Sequence, residues 1–513
     1  MYQSILSGAY HGMDCYLVSV EVDVSDGLPC MEMIGYLASQ VKESRERVRV
    51  GIKNSGYKIP PKRITISLSP SDIRKDGNGF DLPVALGILK AVSGEEKDCP
   101  DVIVLGELGL DGAVKRVGGV LPVLLKAAEE GVRYCIVPKE NEAEARIVKN
   151  IICLPAGTLS EAVSNLERIA EGKVSNMQMP LADEGKVAPE YKVDFSQVAG
   201  QEQARRAAEI AAAGMHNLLL FGPPGSGKSM IAERIRTILP PMTYEECLEV
   251  TKIKSILGEM KDKETLVMER PHVVAHPLIT PQGLIGGGVI PTPGLVTRAH
   301  KGVLLLDELP EFGRAKLDLL RQPLEEKKIR VVRKQYACEY HADFMLVAAI
   351  NPCPCGYFPD RNKCTCRGPE IASYLKRVSG PLLDRIDMSV EVAGVEWAKL
   401  RRKANAESSV RVRERVENAY QYQMRRQNKL NSDLTSEEAD KVCCMEKEAE
   451  DMLGTVLDVS KKSVRSYDRI RKVARTIADL EQSEIILKEH VAEAIALNSG
   501  MDVFAAGKEG LDG

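Results

Sequence analysis

The chain has few aromatic residues and almost no net charge. Phenylalanine, tyrosine and tryptophan make up only 4% of its 513 residues, and a single residue is tryptophan. This scarcity disfavours a recognition surface built mainly on aromatic side chains that stack against nucleic-acid bases. The 70 basic and 73 acidic side chains give a formal net charge of −3. Any sequence signal for nucleic-acid binding must therefore be local.

Segments typical of export and membrane insertion are also missing from the sequence. The first residues, Met1 to Ile5, have no basic stretch followed by an apolar one, as a secretory signal would have. No apolar run approaches the roughly 18 residues that a membrane span requires. We therefore expect a cytoplasmic protein without a membrane partner. In that reducing compartment the thirteen cysteines suit free thiols or metal ligands better than disulfides.

The length indicates several domains. A chain of 513 residues is about three to four times as long as a typical domain of about 150 residues. Hydrophobic residues at 44% and charged residues at 28% are ordinary for a soluble globular protein and exclude wholesale disorder. Composition shifts predict an N-terminal domain, a polar linker, a core that alternates strands with helices, a helical lid and a short tail: residues 1–170, 171–190, 191–397, 398–500 and 501–513. The alternation in the core predicts an α/β domain with a parallel sheet.

The strongest motif is a phosphate-binding loop of the form G-x-x-x-x-G-K-S, which stands between an apolar run and a predicted helix. Its glycines let backbone amides surround phosphates, and the helix N-terminus adds a positive dipole. The lysine of such a loop reaches the β- and γ-phosphates, and the serine binds Mg²⁺. We expect a strand at Leu218–Phe221 and a helix at Met230–Ile238. The predicted ATP-binding residues are Gly222, Pro223, Pro224, Gly225, Ser226, Gly227, Lys228 and Ser229.

Polar residues follow two further apolar runs. Asp307 and Glu308 come directly after Val303–Leu306, a run that suits a central strand buried on both faces. We expect Asp307 to hold Mg²⁺ together with the serine of the loop, and Glu308 to orient or deprotonate the attacking water. Asn351 follows the run Phe344–Ile350 and is predicted to contact the γ-phosphate. The alternative is an ordinary strand end with solvated acids or a capping amide.

Four cysteines form a C-x-C-x₈-C-x-C pattern. Four thiolates are what a closed tetrahedral zinc site requires, and such soft ligands select zinc or an iron–sulfur cluster. The spacing within each pair is tighter than usual, so free thiols or a redox pair stay as alternatives. We predict a zinc site made of Cys353, Cys355, Cys364 and Cys366.

These motifs, with four further segments, resemble the YifB/ComM family of AAA+ ATPases, which are related to the motor subunit of magnesium chelatase. The resemblance covers nearly the whole chain, and the Asn-Pro-Cys-Pro-Cys-Gly run is highly specific. It implies a hexameric ring with ATP at the subunit interfaces. The additional segments are Gly286–Gly288, Leu320–Glu325, Asn351–Gly356 and Leu382–Asp387.

The resemblance also assigns two arginines. Arg385 resembles the arginine finger that reaches the γ-phosphate of the neighbouring subunit, where its charge would stabilise the transferred group. The alternative is a surface ion pair with Asp384 or Asp387. Arg465 resembles the second sensor, which contacts the nucleotide from the lid, although a solvated helix face explains it equally well.

The N-terminal domain resembles the proteolytic domain of Lon proteases. The segments that carry this resemblance are Lys75–Gly77, Gly106–Gly119 and Ala127–Asn141. Gly79 stands where Lon has its serine nucleophile, and Leu121 stands where Lon has its catalytic lysine. Because peptidase chemistry needs both a nucleophile and a base, we predict an inactive Lon-like α+β fold that faces DNA or a partner.

Local positive charge is the remaining signal for nucleic acid. The stretch Lys399–Leu430 has ten lysines and arginines against three glutamates, which suits either contact with a phosphate backbone or a solvated helix face. Arg330, Arg333 and Lys334 are expected in a hairpin that either contacts DNA in the ring pore or forms ion pairs between subunits. Thr297–His300 departs from the run Glu-Ile-Ser-Leu-Ala-His that family members carry there.

We therefore predict an α/β protein with an AAA+ core, a helical C-terminal lid and an N-terminal Lon-like domain. The predicted function is an ATP- and Mg²⁺-dependent hexameric motor, stabilised by zinc, that moves branched or single-stranded DNA. Recombination or natural transformation is the expected process, with recombination proteins as partners. The alternatives are a motor like that of magnesium chelatase and a protein-remodelling ATPase without DNA activity.

Overall fold

A computed structural model describes most of the chain. The chain divides into two compact units. The described residues are 1–35, 38–72, 74–75, 77–94, 101–174, 191–261, 263–288, 291–333, 336–394, 406–460 and 464–509. The first unit combines residues 1–188 with 244–267, and the second combines 189–243 with 268–513. The segment 244–267 lies within the predicted core, yet it packs with the N-terminal residues.

The first unit is built on a seven-stranded mixed sheet with the order β3-β4-β2-β1-β5-β8-β9. Strands β1, β2 and β4 pair antiparallel, and the other neighbours pair parallel. Buried valines alternate along β2, so its second face is left for polar residues. The strands of this unit are β1 Tyr2–His11, β2 Asp14–Ser25, β3 Cys30–Ile34, β4 Arg63–Ser69, β5 Val102–Val104, β6 Glu107–Leu108, β7 Val114–Lys115, β8 Tyr134–Pro138 and β9 Ile152–Ala156.

The helices of this unit enclose two apolar clusters. They span Ser39–Asn54, Asp81–Ser93, Val120–Glu129, Glu142–Ala145, Leu159–Ala170 and Tyr244–Ile256. The last of these is the inserted helix, and it is fixed at its C-terminal end, where the Gly119 amide donates to the Ser255 carbonyl at 2.8 Å. Leu121, which the resemblance places where Lon proteases have their catalytic lysine, is fully buried in one of these clusters.

The second unit contains a five-stranded sheet with the order β11-β14-β17-β10-β18. All neighbouring strands are parallel, which confirms the predicted α/β core. Every residue of β10, β14 and β17 is buried, as expected for central strands covered on both faces. The strands are β10 Leu218–Phe221, β11 His272–Ala275, β12 Gly286–Gly287, β13 Thr292–Pro293, β14 Val303–Leu306, β15 Lys328–Arg333, β16 Tyr336–His341, β17 Met345–Ile350 and β18 Met388–Glu391.

Helices cover this sheet and form the predicted C-terminal helical part. Those along the sheet span Glu202–Gly214, Lys228–Arg234, Pro281–Ile285, Leu295–Arg298, Arg314–Asp318, Arg321–Glu326, Gly368–Leu375 and Gly380–Leu383. The C-terminal helices span Ser409–Gln427, Ser436–Val442, Lys447–Ser460, Val464–Leu480 and Lys488–Glu509. One apolar cluster joins residues of the sheet to residues of these C-terminal helices. The last helix continues past residue 500, where we expected a tail, and the other domain limits remain predictions.

A partly buried carboxylate links three parts of the second unit. Asp343, just before β17, accepts from Lys301 at 2.8 Å and from Lys327 at 3.0 Å. Lys327 also pairs with Asp433. Burial opposes ionisation of Asp343, but the two ammonium groups outweigh it and lower the pKa of this carboxyl to about 2.

Replacing this carboxylate should change the acid sensitivity of the protein. A carboxyl whose pKa is lower in the folded than in the unfolded state stabilises the fold at pH values above the ordinary aspartate pKa. This stabilisation is lost as the pH falls toward about 2. Asp343→Asn should therefore lower the free energy of unfolding by about 2 kcal/mol at pH 7, and the difference should shrink toward pH 2. Urea unfolding across this range measures it. The exposed Asp458 supplies the control, Asp458→Asn, and an equal loss at all pH values would contradict the assignment.

Candidate nucleotide site and cysteine cluster

The phosphate-binding loop connects β10 to the helix that begins at Lys228. Gly222 has a φ of +156°, and a β-carbon on it would lie 2.3 Å from the carbonyl oxygen of Val392. Gly227, which precedes the helix, has a φ of +97°. Both conformations favour glycine, so the two fixed glycines of the motif are explained by sterics. The helix begins at Lys228, two residues before the predicted start at Met230.

The ammonium group of Lys228 lies inside this loop. It donates to the carbonyl oxygens of Gly222 and Pro223, both at 2.8 Å, and to Oδ1 of Asn351 at 3.1 Å. Only 7% of the lysine is exposed, and its burial lowers the pKa of the amine. The structure thus brings together the two residues that the sequence predicted to contact the γ-phosphate.

The serine of the loop meets the acidic strand end. Ser229 Oγ donates to Asp307 Oδ2 at 2.6 Å, and the Glu308 amide donates to Asp307 Oδ1 at 2.9 Å. Hydroxyl and carboxylate oxygens at this separation are suitable Mg²⁺ ligands. Glu308 has a φ of +53°, a strained conformation for a residue with a side chain, and its side chain is exposed beside Asp307.

The two predicted arginines are grouped around an acidic residue that sequence reasoning did not single out as their partner. Arg385 donates to Glu325 and to the Pro381 carbonyl, each at 2.6 Å. Its ion-pair partner is thus neither Asp384 nor Asp387. Arg385 lowers the pKa of Glu325, and the charge of Arg465 contributes in the same direction. Arg465 itself is exposed in the first turn of the helix Val464–Leu480.

A glutamine also supports the phosphate loop. Gln201, with a φ of +57°, donates through Nε2 to the Ser226 carbonyl at 3.1 Å and to the Ala393 carbonyl at 2.5 Å. The Gln201 side chain therefore connects the phosphate loop to the residues that follow β18. In the sequence, the only signal for this role of Gln201 is a Gly-Gln pair before a helix. Such pairs are too common to indicate a role by themselves.

The four predicted cysteines converge. Cys353 Sγ lies 3.3 Å from Cys355 Sγ and 3.8 Å from Cys364 Sγ, and the latter two are 3.6 Å apart. With Cys366 included, the four sulfur atoms lie within 4.8 Å of one another. Tetrahedral zinc with bonds of about 2.3 Å separates its sulfur ligands by roughly 3.8 Å. The donor set therefore fits zinc.

Backbone amides donate to at least two of the four sulfur atoms of this cluster. The amides of Gly356 and Phe358 donate to Cys353 Sγ at 3.1 Å and 3.4 Å. A backbone hydrogen bond from Tyr357 is the main cause that lowers the pKa of Cys355 to about 6. Amide donors around ligand sulfur atoms are typical of metal sites, where they orient the ligands.

Four of the six described cations in the basic stretch bind partners within the second unit. Arg413 donates to the Thr237 carbonyl, and the other paired cations bind carboxylates: Arg415 with Glu209 and Glu407, Arg426 with Asp479, and Lys429 with Glu438. This finding favours a structural role for these four. Lys399, Arg401, Arg402 and Lys403 lie outside the described residues.

The predicted hairpin is formed by β15 and β16. Arg330 lies opposite Glu339 in the register, and Glu339 pairs with Lys328 at 2.6 Å. Val332 is 63% exposed near the turn. Lys334 and the side chain of Arg333 lie outside the described residues. Thr297 and His300, in the segment that departs from the family run, are both buried.

The sheet order, the phosphate loop and the acidic strand end define the class as a P-loop nucleotide-binding protein. Three family models match the chain: "Magnesium chelatase, subunit ChlI" over residues 194–400, "Subunit ChlI of Mg-chelatase" over 20–141 and "Magnesium chelatase, subunit ChlI C-terminal" over 406–498. Within the described residues, no helix is both long and apolar enough to cross a membrane.

Two similar proteins match nearly the whole chain, and a third matches about half of it. "Uncharacterized protein YifB" of Escherichia coli is 42% identical over 493 residues, 94% of each chain. "Competence protein ComM" of Haemophilus influenzae is 39% identical over 501 residues, 96% of each. "Lon protease 2" of Bacillus subtilis is 26% identical over 265 residues, 46% of each. The chain therefore belongs to the YifB/ComM family of magnesium-chelatase-like AAA+ ATPases.

Removing the lysine of the loop should remove tight nucleotide binding. Because hydrogen bonds to charged groups contribute about 1.5–3 kcal/mol, Lys228→Ala should weaken ATP affinity by at least about tenfold. Titration with a fluorescent ATP analogue in the presence of Mg²⁺ measures this. The exposed Lys441 gives the control Lys441→Ala, and equal affinities of the two variants would contradict the assignment.

Proposed function

We propose that the protein is an ATP-hydrolysing ring motor, a hexamer, that moves branched or single-stranded DNA. The observation that carries the ATPase part is the meeting of Lys228, Ser229, Asp307 and Asn351 at the carboxyl edge of one parallel sheet. The DNA part rests on the relationship to a relative named as a competence protein. Recombination or natural transformation is the proposed process, and recombination proteins are the proposed partners.

Each residue at the sheet edge has a separate task. The Lys228 ammonium and the loop amides hold the β- and γ-phosphates, and Asn351 keeps the ammonium directed toward them. Ser229 and Asp307 hold Mg²⁺, which would neutralise phosphate charge when bound. Glu308 orients or deprotonates the attacking water, and the exposure of its carboxylate leaves it free to contact one. The backbone strain at Glu308 supports a functional role, since such strain is concentrated at active sites.

The two arginines complete the site from outside the loop. Only 12% of the Arg385 side chain is exposed, and it is held by Glu325. We propose that this ion pair keeps the guanidinium extended and ready for the γ-phosphate bound by the neighbouring subunit. Arg465 is the proposed second sensor of the lid. Its charge and that of Arg385 act on the same glutamate, so Glu325 connects the two groups electrostatically.

The cysteine cluster is the proposed zinc site. Cys353, Cys355, Cys364 and Cys366 supply four ligands, which leaves no open coordination position for substrate. Zinc is therefore assigned a structural role, and the chemistry of ATP hydrolysis belongs to the residues of the phosphate loop.

Replacing the proposed general base should separate binding from hydrolysis. Glu308→Gln keeps the size of the side chain but removes its basicity, so we expect turnover to fall by about a hundredfold or more. The affinity for ATP should stay within about twofold, because the phosphate contacts are unchanged. Steady-state turnover and nucleotide titration measure the two quantities. Normal turnover by Glu308→Gln would show that another residue activates the water.

The DNA assignment is tested by the effect of DNA on ATP turnover. Turnover should rise severalfold with single-stranded DNA or a four-way junction, and rise less with linear duplex. Because phosphate contacts release counterions, the stimulation should fall steeply as salt increases. Turnover that is the same with every DNA at both high and low salt would overturn the DNA assignment and favour a chelatase-like or protein-remodelling motor.

A further inference from the structure

The cysteine cluster lies against the phosphate loop. We call residues 353–366, which include all four cysteines, the cysteine loop. Gly356 in this loop has a φ of +86°, and a β-carbon on it would lie 2.4 Å from Cδ and 2.5 Å from Cγ of Pro224. Pro224 is the third residue of the phosphate-binding motif. No side chain fits between the two loops, so they are in direct contact at this point.

Two more contacts connect the same segments. The Gly222 amide donates to the Ile350 carbonyl at 3.3 Å, and Lys228 donates to Asn351. Ile350 ends β17, and the cysteine loop begins two residues after Asn351. The residues that directly precede the cysteine loop therefore contact both ends of the phosphate loop, and Gly356 contacts its middle.

The shape of the cysteine loop depends on its cysteines. Residues 351–367 contain turns but no helix or strand. The Gly356 amide donates to both the carbonyl oxygen and the sulfur atom of Cys353, at 3.0 Å and 3.1 Å. The position of Gly356 therefore follows the position of the Cys353 sulfur. Four ligands fixed on one metal ion would hold that sulfur in place.

From this geometry we infer that zinc in the four-cysteine site sets the affinity of the phosphate loop for ATP. The cysteine loop holds Pro224 and Asn351 in the positions in which they bind nucleotide. Gly356 is a positioning residue, because it acts on nucleotide only through Pro224. The inference rests on the proposed ATP and zinc sites, and it adds that the two are coupled.

The first test removes the contact while keeping the metal. Gly356→Ala places a methyl group against Pro224 and should weaken the affinity for a fluorescent ATP analogue by about tenfold, with one zinc per chain retained. Gly258 is a matched control, because it has a φ of +67° and nothing within 4 Å of a β-carbon. Gly258→Ala should therefore carry the same backbone strain and leave the affinity unchanged.

A second variant separates the contact from general damage to the fold. Pro224→Ala removes the ring atoms that the new methyl group would meet. The double variant Gly356→Ala with Pro224→Ala should therefore bind ATP about as well as Pro224→Ala alone, a coupling that a double-mutant cycle detects. Additive losses in the cycle, or an unchanged affinity of Gly356→Ala, would overturn the positioning role.

The second test removes the metal from the full-length protein. A zinc-selective chelator is added while Mg²⁺ stays in excess, the zinc content is measured, and nucleotide affinity is compared before removal, after removal and after zinc is restored. We expect a reversible loss of about tenfold or more. Equal affinity with and without zinc, or no zinc bound at all, would overturn the inference. A zinc-loaded protein that binds ATP but ignores DNA would instead contradict the proposed DNA function and leave this coupling intact.

Discussion

The hydrogen bond between Lys228 and Asn351 is the interaction on which the site depends. It joins the loop after β10 to the residue after β17, and these strands are neighbours with Phe221 opposite Ile350. Parallel pairing brings the carboxyl ends of neighbouring strands to the same edge of the sheet. Ser229 and Asp307 meet at the same edge, because β14 pairs with the other side of β17. The positions of Lys228, Ser229, Asp307 and Asn351 therefore follow from the register of three buried strands.

That arrangement explains why the convergence of these side chains could be predicted from the sequence. Apolar runs followed by Gly222, Asp307 and Asn351 mark three buried strands and their ends, and a parallel sheet aligns such ends without further information. The four cysteines are close in the sequence, so the turns between them suffice to bring them together. Such local patterns can be interpreted correctly without knowledge of any contact between distant residues.

The features that could not be predicted depend on distant contacts. Glu325 pairs with Arg385 across 60 positions of the chain, and nothing in their local sequence indicates that ion pair. The inserted helix Tyr244–Ile256 packs with the N-terminal unit, although it lies within the part of the sequence that predicts the α/β core. Arg415 and Arg426 contribute to a basic stretch in the sequence, but the fold supplies a carboxylate for each. The net charge of this stretch therefore overestimates the positive charge that it leaves for binding a partner.

The central claim is that each ATP site is completed by Arg385 of a neighbouring copy, and turnover by mixed rings tests it most directly. On this proposal, Glu308→Gln subunits keep the arginine finger but lack the general base, and Arg385→Ala subunits keep the general base but lack the arginine finger. If the site is shared, a mixture forms some interfaces with both groups, and its turnover should exceed that of either variant alone. Turnover equal to the weighted average of the two variants at every mixing ratio would contradict the account.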